Sequence, residues 1–443
     1  MIRRPPRSTP SNSSAASDVY KRQGRMSVKN IPSELCVRCR GGRYLCGLTY
    51  CPLLVRYTVR FLSRRLKRVD REIVGSSPPS VFIGRIGYPY VNVGPATPPF
   101  TGETSIFDLP EYWLKLSLND VLEYRYLLIR GKQPVKVTNV NSGLPLKLQE
   151  LTLTLKPVDV EVYLVKPPKP KIVFNEYTPP LGPSGDMRDF KITSNPKSDR
   201  RLEKVYYDTD LKAQNGVVYL YKSGVPVTAI QKILSVGGLG VEKYRRLVPT
   251  RWSITAVDSI ISQHLVDEVK KLPLINEYQV YIRNIMKNLF IVILAPRPWS
   301  FEWMEAWFPG STWNPQGLNV EIEGDYEGFK GRTSYPEIGG CYYAARLAVS
   351  EALVRMKRQA TAILWREIYE GFNIPVGVWF VRECLRETLK SKPVKFNSLT
   401  EALQYIGKYT RVNIKTWTQK SHLVKQLLHQ ELLDKHLRLS THG

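Results

Sequence analysis

Four cysteines spaced Cys-x2-Cys-x6-Cys-x4-Cys constrain the fold of this chain more than any other feature. They are Cys36, Cys39, Cys46 and Cys51. Zinc takes four thiolates in a tetrahedron, and a Cys-x2-Cys pair presents two of them from one tight turn. Glycines at positions 41, 42 and 47 permit the turns that bring in the second pair. With no histidine nearby, the spacing predicts a closed structural zinc site, and a four-thiolate iron–sulfur cluster is the alternative.

A strongly basic segment follows the last cysteine directly. Pro52 suits the first position of a helix, and apolar residues recur at helical spacing along residues 54–66. The cations are Arg56, Arg60, Arg64, Lys67, Arg68 and Arg71. Like charges four residues apart repel each other on a helix, so solubility alone would favour interspersed acids. The pattern therefore predicts a cationic stripe that contacts phosphates, which position a protein without giving sequence specificity.

The whole chain shares this basic character. Among 443 residues, 65 Lys and Arg against 39 Asp and Glu give a net charge of +26, which favours polyanionic partners. No run approaches the roughly 20 apolar residues that span a bilayer, and no signal peptide is recognisable. We therefore predict a cytoplasmic protein without a membrane span. In that compartment, clustered cysteines favour a metal over disulfides.

The pattern of apolar runs predicts an α+β fold, with a mixed α/β fold as the alternative. Strands are expected at residues 81–86, 88–93, 158–165, 277–282, 289–295 and 318–323, and helices at residues 111–128, 225–234, 253–272, 342–370 and 398–409. We predict the cysteine element and basic helix over residues 26–75, the rest of an N-terminal domain over 76–298, a C-terminal domain over 299–418 and a tail over 419–443. Residues 1–25 are typical of translated adaptor sequence, and a disordered basic arm is the alternative.

Four acids alternate near the strand expected at residues 318–323. They are Glu321, Glu323, Asp325 and Glu327. On a strand, all four carboxylates face one side, as a magnesium- or manganese-dependent nuclease requires. The glycines at 324 and 328 instead favour a hairpin with a solvated acidic face. Histidine is nearly absent from the body of the chain, which argues against Ser-His-Asp catalysis. These carboxylates are thus the candidate catalytic set, and the existence of an activity stays open.

Six aromatic residues crowd residues 299–313. They are Trp299, Phe301, Trp303, Trp307, Phe308 and Trp313. Aromatic rings among cations can stack the bases of single-stranded nucleic acid. Here the interleaved charges are Glu302 and Glu305, which would repel phosphate. Packing in a core or at a domain interface is therefore the favoured interpretation.

Five longer segments make the chain resemble a known family. They are CVRCRGGRYLCGLTYCP at residues 36–52, GRIGYPYVNVGPATPP at 84–99, LVPTRWSITAVD at 247–258, GGCYYAARLAVSEAL at 339–353 and IPVGVWFVRE at 374–383. On these segments the chain resembles the archaeal Nre DNA-repair proteins, over nearly all of residues 26–417. The resemblance implies a zinc-finger-like start, a large N-terminal domain, a smaller C-terminal domain and a role in responses to DNA damage.

The resemblance also implies a C-terminal peptide that docks on the sliding clamp PCNA. In the family this peptide is Gln, two residues, an aliphatic residue, two residues and paired aromatics. Counted from Gln419, the aliphatic position here holds His422, and Lys425 and Gln426 replace the aromatic pair. A looser frame uses three leucines that share one helical face: Leu423, Leu427 and Leu428. A plain terminal helix is the alternative.

Together these observations predict a DNA-repair protein that binds DNA through a zinc-anchored basic helix and docks on PCNA. The repair role and the clamp are implied by the resemblance alone, whereas charge and cysteines point to nucleic acid independently. A metal-dependent nuclease or phosphodiesterase using Mg²⁺ or Mn²⁺ is one alternative. An RNA-directed factor is another, because phosphate contacts do not distinguish the two polymers.

Overall fold

The computed structural model describes residues 31–56, 70–141 and 143–430. Within these ranges the chain forms two six-stranded mixed sheets with helices packed against them, which confirms the α+β prediction. None of the helices in these ranges combines the length and the apolar character that a membrane span needs.

The first sheet is built from residues 72–192. Its strands are β1 (Glu72–Ser77), β2 (Ser80–Ile83), β3 (Tyr90–Thr97), β4 (Ile129–Lys136), β5 (Val158–Leu164) and β6 (Ser184–Ile192). They lie in the order β1-β5-β6-β4-β3-β2, with β4 and β6 parallel and the other neighbours antiparallel. Strand β5 alternates between buried and half-buried residues, as a strand does when one face packs on a core.

The helices that lie before, among and after these strands in sequence are α1 (Ser33–Cys39), α2 (Leu118–Leu127), α3 (Gly143–Thr152), α4 (Arg200–Tyr207), α5 (Ala213–Lys222), α6 (Val227–Ser235) and α7 (Thr250–Val269). Helices α3 to α7 supply the core of the first sheet, whereas Val37 of α1 and Val121 of α2 pack in the core of the second sheet. Residues 52–56, at the end of the first described range, are also helical. Helix α2 begins at a capping box, in which Ser117 and Asp120 satisfy each other's backbone N–H groups.

The second sheet is built from residues 278–396. Its strands are β7 (Tyr278–Ile285), β8 (Asn288–Ala295), β9 (Ser300–Trp307), β10 (Glu321–Glu327), β11 (Thr361–Ile368) and β12 (Val394–Phe396), in the order β10-β9-β11-β8-β7-β12. Helices α8 (Gly340–Met356) and α9 (Trp379–Thr388) contribute to the core on one face. On the other face lie α10 (Leu399–Ile406), α11 (Ile414–Lys420) and the helical residues 422–430.

Strand β8 is a continuous apolar run because both of its faces are buried. Phe290, Val292 and Leu294 face the core shared with α8 and α9. Ile291 and Ile293, which alternate with them, face the core shared with α10 and α11. A strand covered on both faces loses the polar alternation of a half-exposed strand. The strand predicted at residues 289–295 is therefore confirmed.

Helix α7 joins the cores of the two sheets. Its Val257 and Ile261 pack in the core of the first sheet. Ile254 and Val266 pack in the core of the second sheet, and α8 lies against α7 along its length. Because one helix buries side chains in both cores, the two sheets are held by a shared element.

The helix predicted over residues 342–370 is wrong in its second part. Helix α8 ends at Met356, where Lys357 adopts the left-handed conformation (φ 53°). Residues 361–368 then form β11, whose eight residues are all buried. Hydrophobic periodicity does not separate a buried helix from a strand buried on both faces.

The aromatic segment forms strand β9, and its packing in the core is confirmed. Trp299, Trp303 and Trp307 are all buried between β9 and the α8–α9 layer. The division predicted at residue 298 falls between β8 and β9, two strands of one sheet, and it stays a prediction.

Candidate metal centre and nucleic-acid interface

The four cysteines line one cavity of about 300 Å³, and all are free thiols. Cys36 and Cys39 lie one turn apart on α1, Cys46 lies in the following loop, and Cys51 immediately precedes the helical residues 52–56. The chain reverses between the two pairs because Arg40 caps α1 in the left-handed conformation (φ 48°), and its N–H donates to Cys36 O at 2.8 Å.

The chemistry of these thiols fits a soft divalent cation. Burial and, secondarily, repulsion from the thiolates of Cys51, Cys39 and Cys46 raise the pKa of Cys36 to about 12. Burial also raises the pKa of Cys51, although backbone N–H groups of Leu54 and Leu53 oppose this. A bound cation would reverse both effects, because it stabilises the thiolate.

The thiols are nevertheless not drawn together as ligands. Across the described ranges, no group of three or more His, Cys, Asp or Glu side chains could hold a metal ion as it stands. Zinc therefore stays a prediction. The four thiols and their common cavity fit a zinc ion.

Arg40 joins the cysteine element to the second sheet. Its Nη1 lies 2.9 Å from Glu305 Oε2 on β9, and its N–H groups donate to Glu176 Oε1 at 3.3 Å and Cys341 Sγ at 3.2 Å. Glu305 Oε1 accepts a further hydrogen bond, at 2.9 Å, from Arg366 on β11. Arg40 is 4% exposed and Glu305 is 0% exposed. The element is thus held by a buried charge network.

Glu176 is a member of this network with a strongly perturbed acidity. Burial raises its pKa to about 7, and the attraction of Arg40 and Arg251 offsets only part of that rise. Neither Arg40 nor Glu305 was singled out as an anchor from the sequence. The available signal was weak, consisting of an arginine next to a cysteine and a glutamate within an aromatic run.

The described part of the basic segment is exposed. Arg56 lies in the helical residues 52–56 and on the wall of the cysteine cavity, and Arg71 lies immediately before β1. Four of the predicted cations lie outside the described residues: Arg60, Arg64, Lys67 and Arg68. The continuous cationic stripe stays a prediction.

The four acids do alternate along one strand, β10, as predicted. Glu327 is buried and forms a 2.9 Å ion pair with Arg346 of α8. Asp325 is paired with Arg332 and also accepts the N–H of Glu337 at 2.8 Å. The solvated acidic face is therefore a wrong description of Glu327.

The other two acids on β10 are half-buried. Burial raises the pKa of Glu323, opposed by attraction to Arg38 and Arg40, and burial likewise raises the pKa of Glu321. The four carboxylates thus have separate surroundings and do not converge on a shared cation site within the described ranges.

The tail packs on the second sheet. Gln419 is exposed near the end of α11, whereas Leu423 and Leu427 are buried and Leu428 packs against the same core. The carboxylate of Glu302 on β9 caps the helical residues 422–430. Its Oε1 accepts the N–H of His422 at 2.6 Å and of Leu423 at 3.4 Å. The leucines of the predicted clamp motif therefore belong to the chain's own core.

Two family models match the chain in succession. The model described as "Archaeal Nre, N-terminal" matches residues 45–314, and "Archaeal Nre, C-terminal" matches residues 327–436. The chain belongs to the archaeal Nre family. No solved structure matches it.

Three curated members of the Nre family align with most of the chain. DNA repair protein NreB of Archaeoglobus fulgidus is 48% identical over 391 residues, which is 88% of this chain and 97% of the relative. DNA repair protein NreA of the same organism is 38% identical over 87% of this chain and 95% of the relative. DNA repair protein NreA of Haloferax volcanii is 34% identical over 79% and 86%.

The two Nre segments do not coincide with the two sheets. Strands β7, β8 and β9 of the second sheet fall within the N-terminal match, and β11 and β12 fall within the C-terminal match, whereas β10 lies between the two matches and ends where the second one begins. Both Nre segments therefore contribute strands to that sheet.

Proposed function

We propose that this chain acts in DNA repair by binding nucleic acid through its cysteine element and the basic segment that follows. The proposal rests on the names of three relatives that align with most of the chain. The structural observation that carries it is the shared cavity, whose wall contains the four cysteines and Arg56. A metal bound there would lie at the base of the cationic segment.

The four thiols would hold a zinc ion in a structural role. When bound, zinc supplies a cross-link between α1 and the helical residues 52–56, and four protein ligands leave no open position for catalysis. Arg40 would then fix this cross-linked element to the body of the protein through its buried contact with Glu305. The cationic segment would start from a rigid base, which lowers the entropy lost when it binds phosphates.

Binding should be dominated by phosphate contacts. Each phosphate neutralised on duplex DNA steepens the logarithmic salt dependence of binding by about 0.9. Replacing Arg56, Arg60 and Arg64 by alanine should therefore weaken binding and flatten that dependence by about two to three. Fluorescence anisotropy with a labelled duplex, repeated over a series of salt concentrations, measures both effects.

A matched variant removes three exposed lysines from the opposite end of the chain. Lys408, Lys415 and Lys420 are all exposed, and their replacement by alanine should leave most of the salt dependence intact. If the two triple variants show the same salt dependence of DNA binding, the basic segment does not make the phosphate contacts. A wild-type chain that binds neither DNA nor an RNA duplex would overturn it, and a clear preference for the RNA duplex would favour the RNA-directed alternative.

We further propose that the tail docks on PCNA once it has left the second sheet. Gln419 is accessible as the structure stands, whereas Leu423 and Leu427 are buried. Docking through those leucines requires the helical residues 422–430 to detach from β9.

Metal-dependent cleavage is not proposed, because Asp325 and Glu327 form ion pairs with two different arginines, Arg332 and Arg346.

A further inference from the structure

The tip of the β2–β3 hairpin presents apolar and aromatic side chains to solvent. Residues 85–90 are all exposed, including Ile86 at 83% and Tyr88 at 55%. Trp252, at the start of α7, is 46% exposed, and its ring centroid lies 5.7 Å from that of Tyr88. Single exposed apolar residues are ordinary, but a contiguous apolar patch marks a binding surface. We call Ile86, Tyr88, Tyr90 and Trp252 the aromatic platform.

Backbone hydrogen bonds fix the shape of this hairpin. Gly84 N–H donates to Asn92 O at 2.7 Å, and Tyr90 N–H donates to Gly87 O at 2.9 Å. Gly87 has a φ of +85°, and a Cβ there would lie 2.7 Å from the carbonyl oxygen of Tyr90. Only glycine closes this turn without displacing it, so the rings project from a defined support.

Two contacts join the hairpin to the rest of the molecule. Ile83 N–H donates to Thr250 Oγ1 at 3.0 Å, which brings the hairpin to the first turn of α7 and so to Trp252. Val137 N–H donates to Pro89 O at 2.9 Å, which joins the tip to the chain after β4. The platform is therefore held from both sides.

Three cations lie on the segments that adjoin the platform. Lys136 lies directly across the strand pair from Tyr90, so their side chains share a face of the sheet. Arg246 adjoins Leu247, whose N–H donates to Val137 O at 2.9 Å, and Arg85 precedes Ile86. All three cations are exposed, and none forms an ion pair with a carboxylate of the described residues. The rim of the platform is thus positively charged.

The platform also adjoins the cysteine element. Arg251, next to Trp252, lies over the ring of Tyr177 at 3.8 Å from the centroid. A Cβ on Gly42 of the cysteine element would lie 3.2 Å from the guanidinium nitrogens of Arg251. Arg251 therefore connects the cysteine element to the first turn of α7, which also carries Trp252.

We infer that the aromatic platform stacks unpaired bases of single-stranded DNA, while Arg85, Lys136 and Arg246 contact its phosphates. The inference rests on the proposed function, since it takes DNA as the partner and adds which form of DNA is selected. Aromatic side chains stack any base, because every base has a π-face. In an intact duplex those faces are already stacked on each other. The platform therefore favours gaps, ends and unpaired stretches.

Two labelled oligonucleotides of equal length test this inference. One is oligo(dT), and the other has abasic sites throughout, so that the phosphates match and the bases are missing. Wild-type protein should bind oligo(dT) about tenfold more tightly, given the usual strength of base–aromatic stacking. The double variant Tyr88→Ala with Trp252→Ala should bind oligo(dT) as weakly as the abasic strand and should bind the abasic strand unchanged. Lys136→Ala with Arg246→Ala should instead weaken binding to both strands.

A matched aromatic pair serves as the control. Tyr409 is 48% exposed, and its ring lies 5.1 Å from that of Tyr405, near the α10 end of the second sheet. Tyr409→Ala should leave both affinities unchanged, and Trp252→Phe should keep most of the preference for oligo(dT). Circular dichroism verifies that each variant is folded.

The possible failures are separable. Equal wild-type affinity for the two strands, or a double variant that weakens both equally, overturns the stacking platform. If duplex DNA still binds in that case, the proposed function stands. Absence of binding to all three DNAs and to an RNA duplex overturns the proposed function itself.

Discussion

The guanidinium Nη1 of Arg40 lies 2.9 Å from Oε2 of Glu305, and both side chains are buried. The residue that follows the second cysteine is thereby connected to the middle of the second sheet. Arg366 approaches the other oxygen of the same carboxylate. The orientation of the cysteine element consequently depends on a charge network far from it in sequence.

Replacing Arg40 by methionine should destabilise the protein severely. The variant leaves the buried Glu305 with a single cationic neighbour, and breaking a buried pair in this way costs about 3 kcal/mol. Urea unfolding followed by circular dichroism measures the free energy of unfolding. Arg38→Met, on the exposed side of the same helix, should change it by no more than about 0.5 kcal/mol. Similar values for the two variants would show that the Arg40 network does not anchor the element.

The purified protein should contain one zinc ion per chain. Cys51→Ala should remove most of it, because a three-thiolate site binds zinc more weakly, whereas Cys384→Ala should retain it. Cys384 is a buried thiol outside the cysteine cavity and serves as the matched control. Elemental analysis by mass spectrometry gives the stoichiometry. Iron with visible absorbance would favour the iron–sulfur alternative, and a metal-free protein that is fully folded would contradict both.

Stability should fall between pH 4.5 and pH 8 because of Glu176. Burial raises its pKa to about 7 from an ordinary 4.5, so the folded state holds the proton more tightly than the unfolded chain. This stabilisation is complete below about pH 4.5 and is lost as the pH rises through 7. Glu176→Gln should therefore increase the free energy of unfolding at pH 8 by up to about 3 kcal/mol and change it little at pH 4.5.

The exposed Glu370 provides a control for this pH dependence. Hydrogen bonds from its own backbone N–H and from Arg411 lower its pKa. Its stabilising contribution is present above pH 4.5 and is lost in acid, so Glu370→Gln should have the opposite sign. Denaturant unfolding at pH 3, 4.5, 6 and 8 measures both variants. A Glu176→Gln effect that is the same at every pH would contradict the raised pKa.

Clamp binding should increase when the tail is released. Glu302→Gln removes the charged acceptor of the His422 and Leu423 N–H groups, so hydrogen exchange in residues 422–430 should accelerate. Calorimetric affinity for PCNA should then rise, and deletion of residues 419–443 should abolish it. If the wild type, the Glu302→Gln variant and the deletion bind PCNA equally, the tail is not the docking peptide.

The elements with a strong local signal could be predicted from the sequence. The run Leu289–Ala295 lies within β8, and the pattern at residues 253–272 corresponds to α7 (Thr250–Val269). Strand β11 was missed because its apolar residues are covered on both faces, which periodicity does not distinguish from a helix. Strand β9 was treated only as an aromatic cluster, although its packing in the core was predicted correctly.

The candidate site was predicted in part. Cysteine spacing alone indicated which four residues belong together, and they do line one cavity. The Arg40–Glu305 pair and the neighbourhood of Tyr88 and Trp252 depend on contacts between distant segments. Ile86 and Tyr88 also match a strand pattern, so periodicity does not indicate that they lie at an exposed turn.

The shared second sheet has a consequence for how the molecule can be divided. A cut between residues 314 and 321 would separate β9 from β10 and from β11, the strands that flank it. Each fragment would then carry strands with unpaired edges, which are prone to aggregate. Helix α7 would also lose the core that covers one of its sides. The two family segments should therefore melt in a single cooperative transition, and fragments produced separately should regain structure only when mixed.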